Sequence, residues 1–481
     1  MFKFNSGMNR RGFNRLVTGA GAAAALGPRF SGVSHAAAPA APARQGAPKA
    51  DQFGVNEAFK AMQFGNNVGA GWTRWTVQWF NVQKEPGDLN VHYFRDDKGR
   101  SVLEQQVNAG MKVAAMVLGT PEWAAEVPGL KTGTSVPRGL YTPTMVGDQP
   151  NPENPWAVFM YNLAQQYAGQ MDVFEIWNEA EIPADGPNAI YNTWAGTPAQ
   201  YFQLLKVASE AAKSANPFAK IIATPYSYFK DQQEGQGASL PWWDAFQTAV
   251  KSANGADAFD GIALNLYRNP HDLWDRMYGA TPLYYAAADK IGFKQRLADM
   301  GAANKEIWLT EINSMPYDDT VPGWDPVAKN DGFRITMDEQ ASYVLQSHAL
   351  GVAAGYNKIF FQALQDDPYP VPDELWGLVR YNGDSQNEDP SSVRPAYTAY
   401  QMAAQFLGDA DWSDLYIRTR ADHPIDKYRQ YASRWRWASH AVVAQKGNMR
   451  TYVIWSGAGE PQSASIQKWG VDAKLFDKHF Q

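Results

Sequence analysis

The sequence predicts an eight-fold β/α barrel with a small β-rich C-terminal domain, and three observations point there. Short apolar runs and longer amphipathic ones alternate from Gln52 to Gly408, the rhythm of parallel strands joined by crossover helices. No Gly-x-Gly-x-x-Gly follows the first apolar run, so a dinucleotide-binding doubly wound sheet lacks its fingerprint. Beyond about Asp409 the helical period gives way to strand-like stretches separated by turns.

Taken in order, "QFGVN" (52–56) reads as the first strand and "NEAFKAMQFGNNVGAG" supplies a helix before "WTRWTVQWF" (72–80), the second strand. "SVLEQQVNAG" is helical, with Val102, Leu103 and Val107 on one face and Gly110 closing it, and "MKVAAMVL" (111–118) is the third strand. A helix around Trp156 to Tyr167 feeds "DVFEIW", the fourth. "PAQYFQLLKVASEAAKSANP" has a 3.6-residue apolar period and precedes "AKIIATPYS" (219–227). Three further helix and strand pairs end at "FDGIALNLY" (259–267), "KEIWLTEIN" (305–313) and "NKIFFQALQ" (357–365), and "RPAYTAYQMAAQFLG" (394–408) is the closing helix. The barrel is thus expected over 52–408 and the β-rich domain over 409–481, where "ASHAVVAQKGNMRTYVIWSG" and "SASIQKWGV" are strand-like.

The N-terminus reads as a targeting segment. Arg10 and Arg11 precede Phe13, Arg15 and a Gly/Ala-rich, weakly apolar stretch, which resembles a twin-arginine export signal, with Asn14 where Leu is usual. Small residues in "SHAAAPA" offer a cleavage site near Ala36, and 37–51 reads as a disordered Ala/Pro-rich linker. Loss of residues 1–36 removes Lys3, Arg10, Arg11, Arg15 and Arg29 but no acid, taking the formal charge from −6 to −11. The expected location is therefore periplasmic or extracellular, with the twin-arginine machinery as an export partner.

Composition narrows the function. A net charge of −6 without clustered Lys and Arg argues against a nucleic-acid partner. The absence of cysteine excludes disulfides and thiolate chemistry, and seven scattered His without an H-x-x-x-H pair argue against zinc. No apolar run approaches the ~20 residues that span a bilayer, so stable membrane insertion is not expected. With 18 Trp and 23 Tyr the chain is well supplied with rings on which sugars stack.

In a β/α barrel, chemistry collects at the carboxyl ends of the strands. Those ends carry Asn178 and Glu179 on the fourth strand, Asn265 and Tyr267 on the sixth and Glu311 on the seventh. Two carboxylates flanking one bond suit glycoside hydrolysis, one as proton donor and one as nucleophile or water activator. Glu175 alternates with Trp177 and reads as a structural carboxylate inside the barrel, paired with a donor on the second or third strand. Arg74, between Trp72 and Trp75, reads as buried. Trp79, Trp123 and Trp376 are either sugar-stacking platforms or loop packing, Trp242 and Trp243 suit a helix face or a lid, and His271 either touches substrate or is an incidental loop residue.

"EIWNEAE" and "IWLTEIN", each at a strand end and in this order, resemble the signatures of the clan A glycoside hydrolases, and among them the family 39 type. Arg74 in "WTRWTVQWF" followed by "EPG", "TPEWA" after the third strand and "WGLV…RPAYTAYQMAAQFL" extend the likeness over roughly 52–475. The resemblance implies a retaining enzyme without metal or organic cofactor. It implies Glu179 as acid/base, Glu311 as nucleophile, Asn178 on the sugar 2-hydroxyl, and Tyr267 and Arg74 as donors to Glu311. Asn265 stands where many relatives have His, and Phe360, Phe361 and Gln362 where a Trp often floors the site. A transglycosylase of the same fold and a catalytically silent carbohydrate-binding barrel are the alternatives, and the sugar, its linkage and the mode of attack stay open.

Overall fold

The computed structural model describes residues 49–456 apart from 88, 91–92, 97, 131–132, 183–193, 228–238, 268–292, 320–333, 368–374, 382–388 and 419–438. The expected export signal, nearly all of the linker, His271 and "SASIQKWGV" lie outside the described residues.

Eight parallel strands close into a barrel in sequence order: β1 (Ala50–Asn56), β2 (Ala70–Gln78), β3 (Lys112–Leu118), β4 (Val173–Ile176), β5 (Lys220–Ser227), β6 (Gly261–Tyr267), β7 (Glu306–Asn313) and β8 (Lys358–Phe361), with β8 pairing back to β1. Both faces of the strands are covered, which is why β2, β3 and β7 read as nearly unbroken buried runs rather than alternating ones. Between them run α1 (Met62–Asn67), α2 (Val102–Asn108), α3 (Pro155–Gln166), α4 (Pro198–Ala215), α5 (Ser239–Ser252), α6 (Phe293–Asp299) and α7 (Met337–Ala354), and α8 (Pro395–Phe406) closes the ring. Helix starts follow capping chemistry: Thr197 and Gln200 cap α4 reciprocally, and Thr336 and Glu339 do the same for α7. Trp243 of α5 is buried and Trp242 stacks on Phe246, as a helix face requires.

Several boundaries depart from the sequence reading: β8 ends at Phe361 rather than at 365, and two further departures have a visible cause. β1 starts at Ala50, inside the expected linker, because the Asp409 carboxylate accepts the backbone N–H groups of Asp51 and Gln52 at 2.9 and 2.8 Å and ties the strand to the segment after α8. β2 stops at Gln78, and Trp79 and Phe80 turn into the short helix Trp79–Val82.

The barrel interior is filled in layers. One layer consists of Trp72, Ala114, Val173, Ile222, Ala263, Trp308 and Phe360, one residue from each of β2 to β8. The rings of Trp72, Trp308 and Phe360 occupy most of it, with centroid separations of 5.5 and 5.8 Å. On β1 the matching position is Gly54, where a Cβ would run into the Phe360 ring. Large and small residues thus alternate to fit the bore.

After α8 comes an antiparallel sheet of β9 (Trp412–Arg418), β10 (Ser439–Lys446) and β11 (Met449–Ser456), in that order. Val442 and Ala444 bury one face in the core, and Ser413 Oγ donates to the Val352 carbonyl of α7 at 3.1 Å. The hairpin between β10 and β11 turns at Gly447 with φ 55°, a conformation that glycine adopts without strain.

On α7, His348 is wholly buried between the rings of Phe53 and Tyr400, 4.6 and 4.9 Å away. Burial drops its pKa to about 4, with the Val344 carbonyl pulling weakly the other way. The unfolded chain therefore takes a proton as pH falls below about 6.5 while the folded chain does not. Stability should decline between about pH 6.5 and 4 by a total of about 3 kcal/mol from this residue. Urea unfolding over this range should show a shallower pH dependence for His348→Gln than for the wild type.

Candidate active site

Two residues beyond the aromatic layer, toward the carboxyl ends of the strands, the barrel turns polar. The same positions now carry Asn56, Arg74, Met116, Glu175, Asn265, Thr310 and Gln362, since period-two alternation returns each strand's side chain to the interior. Asn56 Nδ2 donates to Gln362 Oε1 at 2.6 Å and to the Thr310 carbonyl at 2.9 Å.

Arg74 is the centre of this layer. Its Nε and Nη2 donate to the two oxygens of Glu175 at 2.6 and 3.0 Å, and Nη1 donates to Glu311 Oε1 at 2.8 Å. Nη2 also reaches Asn178 Oδ1 at 3.2 Å. All four residues are at most 4% exposed. Burial alone would lower the affinity of Arg74 for its proton, but Glu175 and Glu311 more than offset it and the guanidinium stays charged. Burial also pushes the Glu175 carboxyl above its usual range; Arg74 holds it down and Glu311 adds to the push.

Glu311 reaches the interior because β7 is bulged. Leu309 pairs with Leu264 but Glu311 with Asn265, and on the other side Leu309 pairs with Ile359 but Ile312 with Phe361, so β7 carries one extra residue relative to both neighbours. Strict alternation from Trp308 would point Thr310 inward and Glu311 outward. The bulge re-aims Glu311, a common use of this device beside active sites. Its second oxygen, Oε2, accepts the Tyr267 hydroxyl.

The segment after β4 is shaped by strain. Trp177 and Glu179 have φ of 70° and 45°, left-handed values rare for side chains this large. Trp177 is held there by its N–H bond to the Val117 carbonyl at 2.8 Å and by burial of its ring against Trp194 at 4.8 Å. The turn presents Asn178 and Glu179 to the polar layer, where Asn265 Nδ2 donates to Glu179 Oε1 at 3.0 Å. The Thr310 hydroxyl donates to Asn265 Oδ1 at 3.1 Å, so the Asn265 amide aims its NH2 at Glu179.

The described residues after β7 and β8 form one wall, in which Met315, Leu375 and Trp376 pack against Tyr267. The ring of Trp376 meets that of Tyr267 edge-on at 5.0 Å, and its carbonyl accepts Asn313 Nδ2 at 2.6 Å. Beneath lies Arg394, at the start of α8, which donates to Asp319 Oδ2 at 2.7 Å and to both oxygens of Asp366 at 2.9 and 2.6 Å. Arg380 shares Asp319 at 2.9 Å. Burial raises the Asp366 carboxyl despite Arg394, whereas Asp319, held by two arginines, is lowered although burial opposes them. At the junction of β8 with β1, Lys60 bridges Glu57 at 2.5 Å and Asp367.

Seven of the nine residues singled out in the sequence meet here: Arg74, Asn178, Glu179, Asn265, Tyr267 and Glu311 directly, and Trp376 through Tyr267. Trp79 is corrected. It is fully buried, stacked on Phe159 at 5.0 Å and bonded to Gln83, so it packs the outer core and offers no platform to a sugar. Trp123 is half-buried against Trp79 and donates to the Gln83 carbonyl, so loop packing accounts for it. Asn265 holds Glu179, a task the sequence did not signal. Glu175, read as structural, does take a β2 donor, and that donor is Arg74, which also holds Glu311. Among the described residues no His, Asp and Glu cluster is arranged to hold a metal ion, and no helix is long and apolar enough to cross a membrane.

No protein-family model and no curated protein sequence matches the chain. Its fold is similar to that of solved glycoside hydrolases. A family 39 glycoside hydrolase from the gut symbiont Bacteroides cellulosilyticus WH2 aligns with a TM-score of 0.50 over 84% of this chain and 70% of its own, at 17% identity. A glucosidase from Croceicoccus marinus gives 0.47 over 83% and 75%, at 12% identity. A family 39 β-xylosidase from Caulobacter crescentus gives 0.46 over 83% and 79%, at 14% identity. At these identities the likeness is one of fold, the closed β/α barrel.

The arginine network under the wall sets a stability test. Arg394→Leu would strand Asp319 and Asp366 without their main partner, which should cost about 3–5 kcal/mol. Urea denaturation at pH 7 should show the loss.

Proposed function

We propose that this protein is a glycosidase, an exported retaining glycoside hydrolase that cleaves O-glycosidic bonds of an oligo- or polysaccharide by double displacement. The observation that carries the reading is the unequal setting of two carboxyls presented from β4 and β7. Glu311 accepts bonds from a guanidinium and a phenol, donors that favour its ionised form. Glu179 accepts from a neutral amide, that of Asn265. One carboxyl kept as an anion and another able to carry a proton are the two roles that retaining hydrolysis divides.

In the first half-reaction a Glu311 oxygen bonds to the anomeric carbon as the bond to the leaving oxygen breaks, and Glu179 gives that oxygen its proton. In the second, Glu179 takes a proton from water as the water oxygen displaces Glu311. In this reading Asn178, which accepts from Arg74, bonds a sugar hydroxyl beside the reacting carbon. Trp376, braced by Tyr267, supplies an apolar face on the wall. A carbohydrate substrate agrees with the acidic, aromatic-rich composition, and the Arg10–Arg11 pattern supports export through the twin-arginine route.

The decisive experiment is a panel of aryl glycosides and soluble polysaccharides given to wild type, Glu179→Ala and Glu311→Ala. Both variants should lose about 10²–10⁴-fold in kcat/KM on substrates with poor leaving groups. Azide should restore Glu179→Ala on activated substrates and give a glycosyl azide of retained configuration by NMR. A wild type that binds glycans but cleaves none would instead favour a silent binding barrel, and products formed with added acceptor sugars would reveal transfer. Separately, replacing Arg10 and Arg11 with Lys should leave the protein in the cytoplasm, which fractionation of the producing cells can check.

A further inference from the structure

Glu175 lies in the polar layer but has no part in the two half-reactions. Both of its oxygens accept from Arg74, at 2.6 and 3.0 Å, whereas Glu311 receives a single guanidinium bond at 2.8 Å. Oxygens that both accept from one guanidinium belong to an ionised carboxylate. One buried cation therefore serves two buried anions, and Glu175 takes the larger share.

We propose that Glu175 is a positioning residue that sets the basicity of Glu311 through Arg74. The inference rests on the two-carboxylate reading above. By occupying Nε and Nη2, Glu175 fixes the plane of the guanidinium, aims Nη1 at Glu311 and keeps much of the positive charge from it. Glu311 is thereby more basic than in an exclusive ion pair, and a more basic carboxylate is a better nucleophile and a poorer leaving group.

The surroundings leave few other influences. Glu175 is in register with Met116 on β3 and Ile222 on β5, both uncharged. From β2 it faces Arg74, and from β7 the Thr310 hydroxyl and the Glu311 charge. Glu311 faces Arg74, the Tyr267 hydroxyl and Asn265, beyond which lies Glu179. Glu57 is close enough to feel Arg74 from the β1 side, but Lys60 is its nearer partner.

The consequence divides between the two half-reactions. In Glu175→Gln the amide keeps the shape but not the charge, so Arg74 turns its full charge on Glu311. Attack on the anomeric carbon should slow, lowering kcat/KM about tenfold. Breakdown of the glycosyl-enzyme, in which the Glu311–carbon bond breaks and its electron pair returns to the carboxylate, should not slow. The kcat on activated aryl glycosides limited by that step should hold or rise.

The first test needs no substrate. With carboxyl-¹³C glutamate and Glu311→Gln for assignment, NMR titration should place the Glu311 pKa about one pH unit lower in Glu175→Gln than in wild type, and near the wild-type value in Glu175→Asp, which keeps the charge. An unmoved Glu311 pKa, or kcat and kcat/KM falling together, would overturn the inference and leave Glu175 a purely structural group. If Glu175→Gln does not fold, the wild-type titration decides. Glu175 and Glu311 should show two-step curves of an interacting pair, and independent single-step curves would sink the idea. A wild type inert on every glycoside would remove the proposed function, while the titration would still judge the coupling.

Discussion

The grip of Arg74 on Glu175 and Glu311 is the constraint on which the rest of the site depends. A guanidinium this deep would be costly alone, and each carboxylate more so; together they satisfy most of one another's bonds. The arrangement works only if β2, β4 and β7 deliver their side chains to one layer, and that is a property of the closed barrel. Closure in turn needs the layer beneath to fill the bore, with Gly54 yielding space to Phe360 and Ala114 and Ala263 yielding space to two tryptophans. The chemistry at the mouth and the packing of the floor are thus two rows of the same side-chain lattice.

Departures from ideal geometry sit where that lattice must be broken to bring a carboxyl to the polar layer. β7 inserts a residue to turn Glu311 inward, and the turn after β4 uses left-handed backbone at Trp177 and Glu179 to lift Asn178 and Glu179 to the rim. Neither is free. The buried Trp177 ring and the Arg394 ion pairs beneath the opposite wall supply rigid surroundings that hold such conformations in place.

Much of this was legible in the sequence. Eight strand runs stand out because doubly covered strands must be apolar, and the polar residues that interrupt their ends are conspicuous for that reason. Arg74 between two tryptophans, and Glu179 and Glu311 at strand ends, follow from that contrast. The bulge was not legible, since Thr310 and Glu311 carry no mark of which one alternation skips. Trp79 misled because an aromatic next to a strand end reads the same whether the chain turns it toward the mouth or, as here, toward α3. Asn265 was recognised as a site residue without its partner, because an amide has no preferred role until its neighbours fix which end donates.

The aromatic floor also gives the site a one-sided dielectric. Below Arg74, Glu175 and Glu311 lie Trp72, Trp308 and Phe360, apolar rings that screen these charges poorly from that side. On the floor side the field around Glu311 is thus damped less than water would damp it.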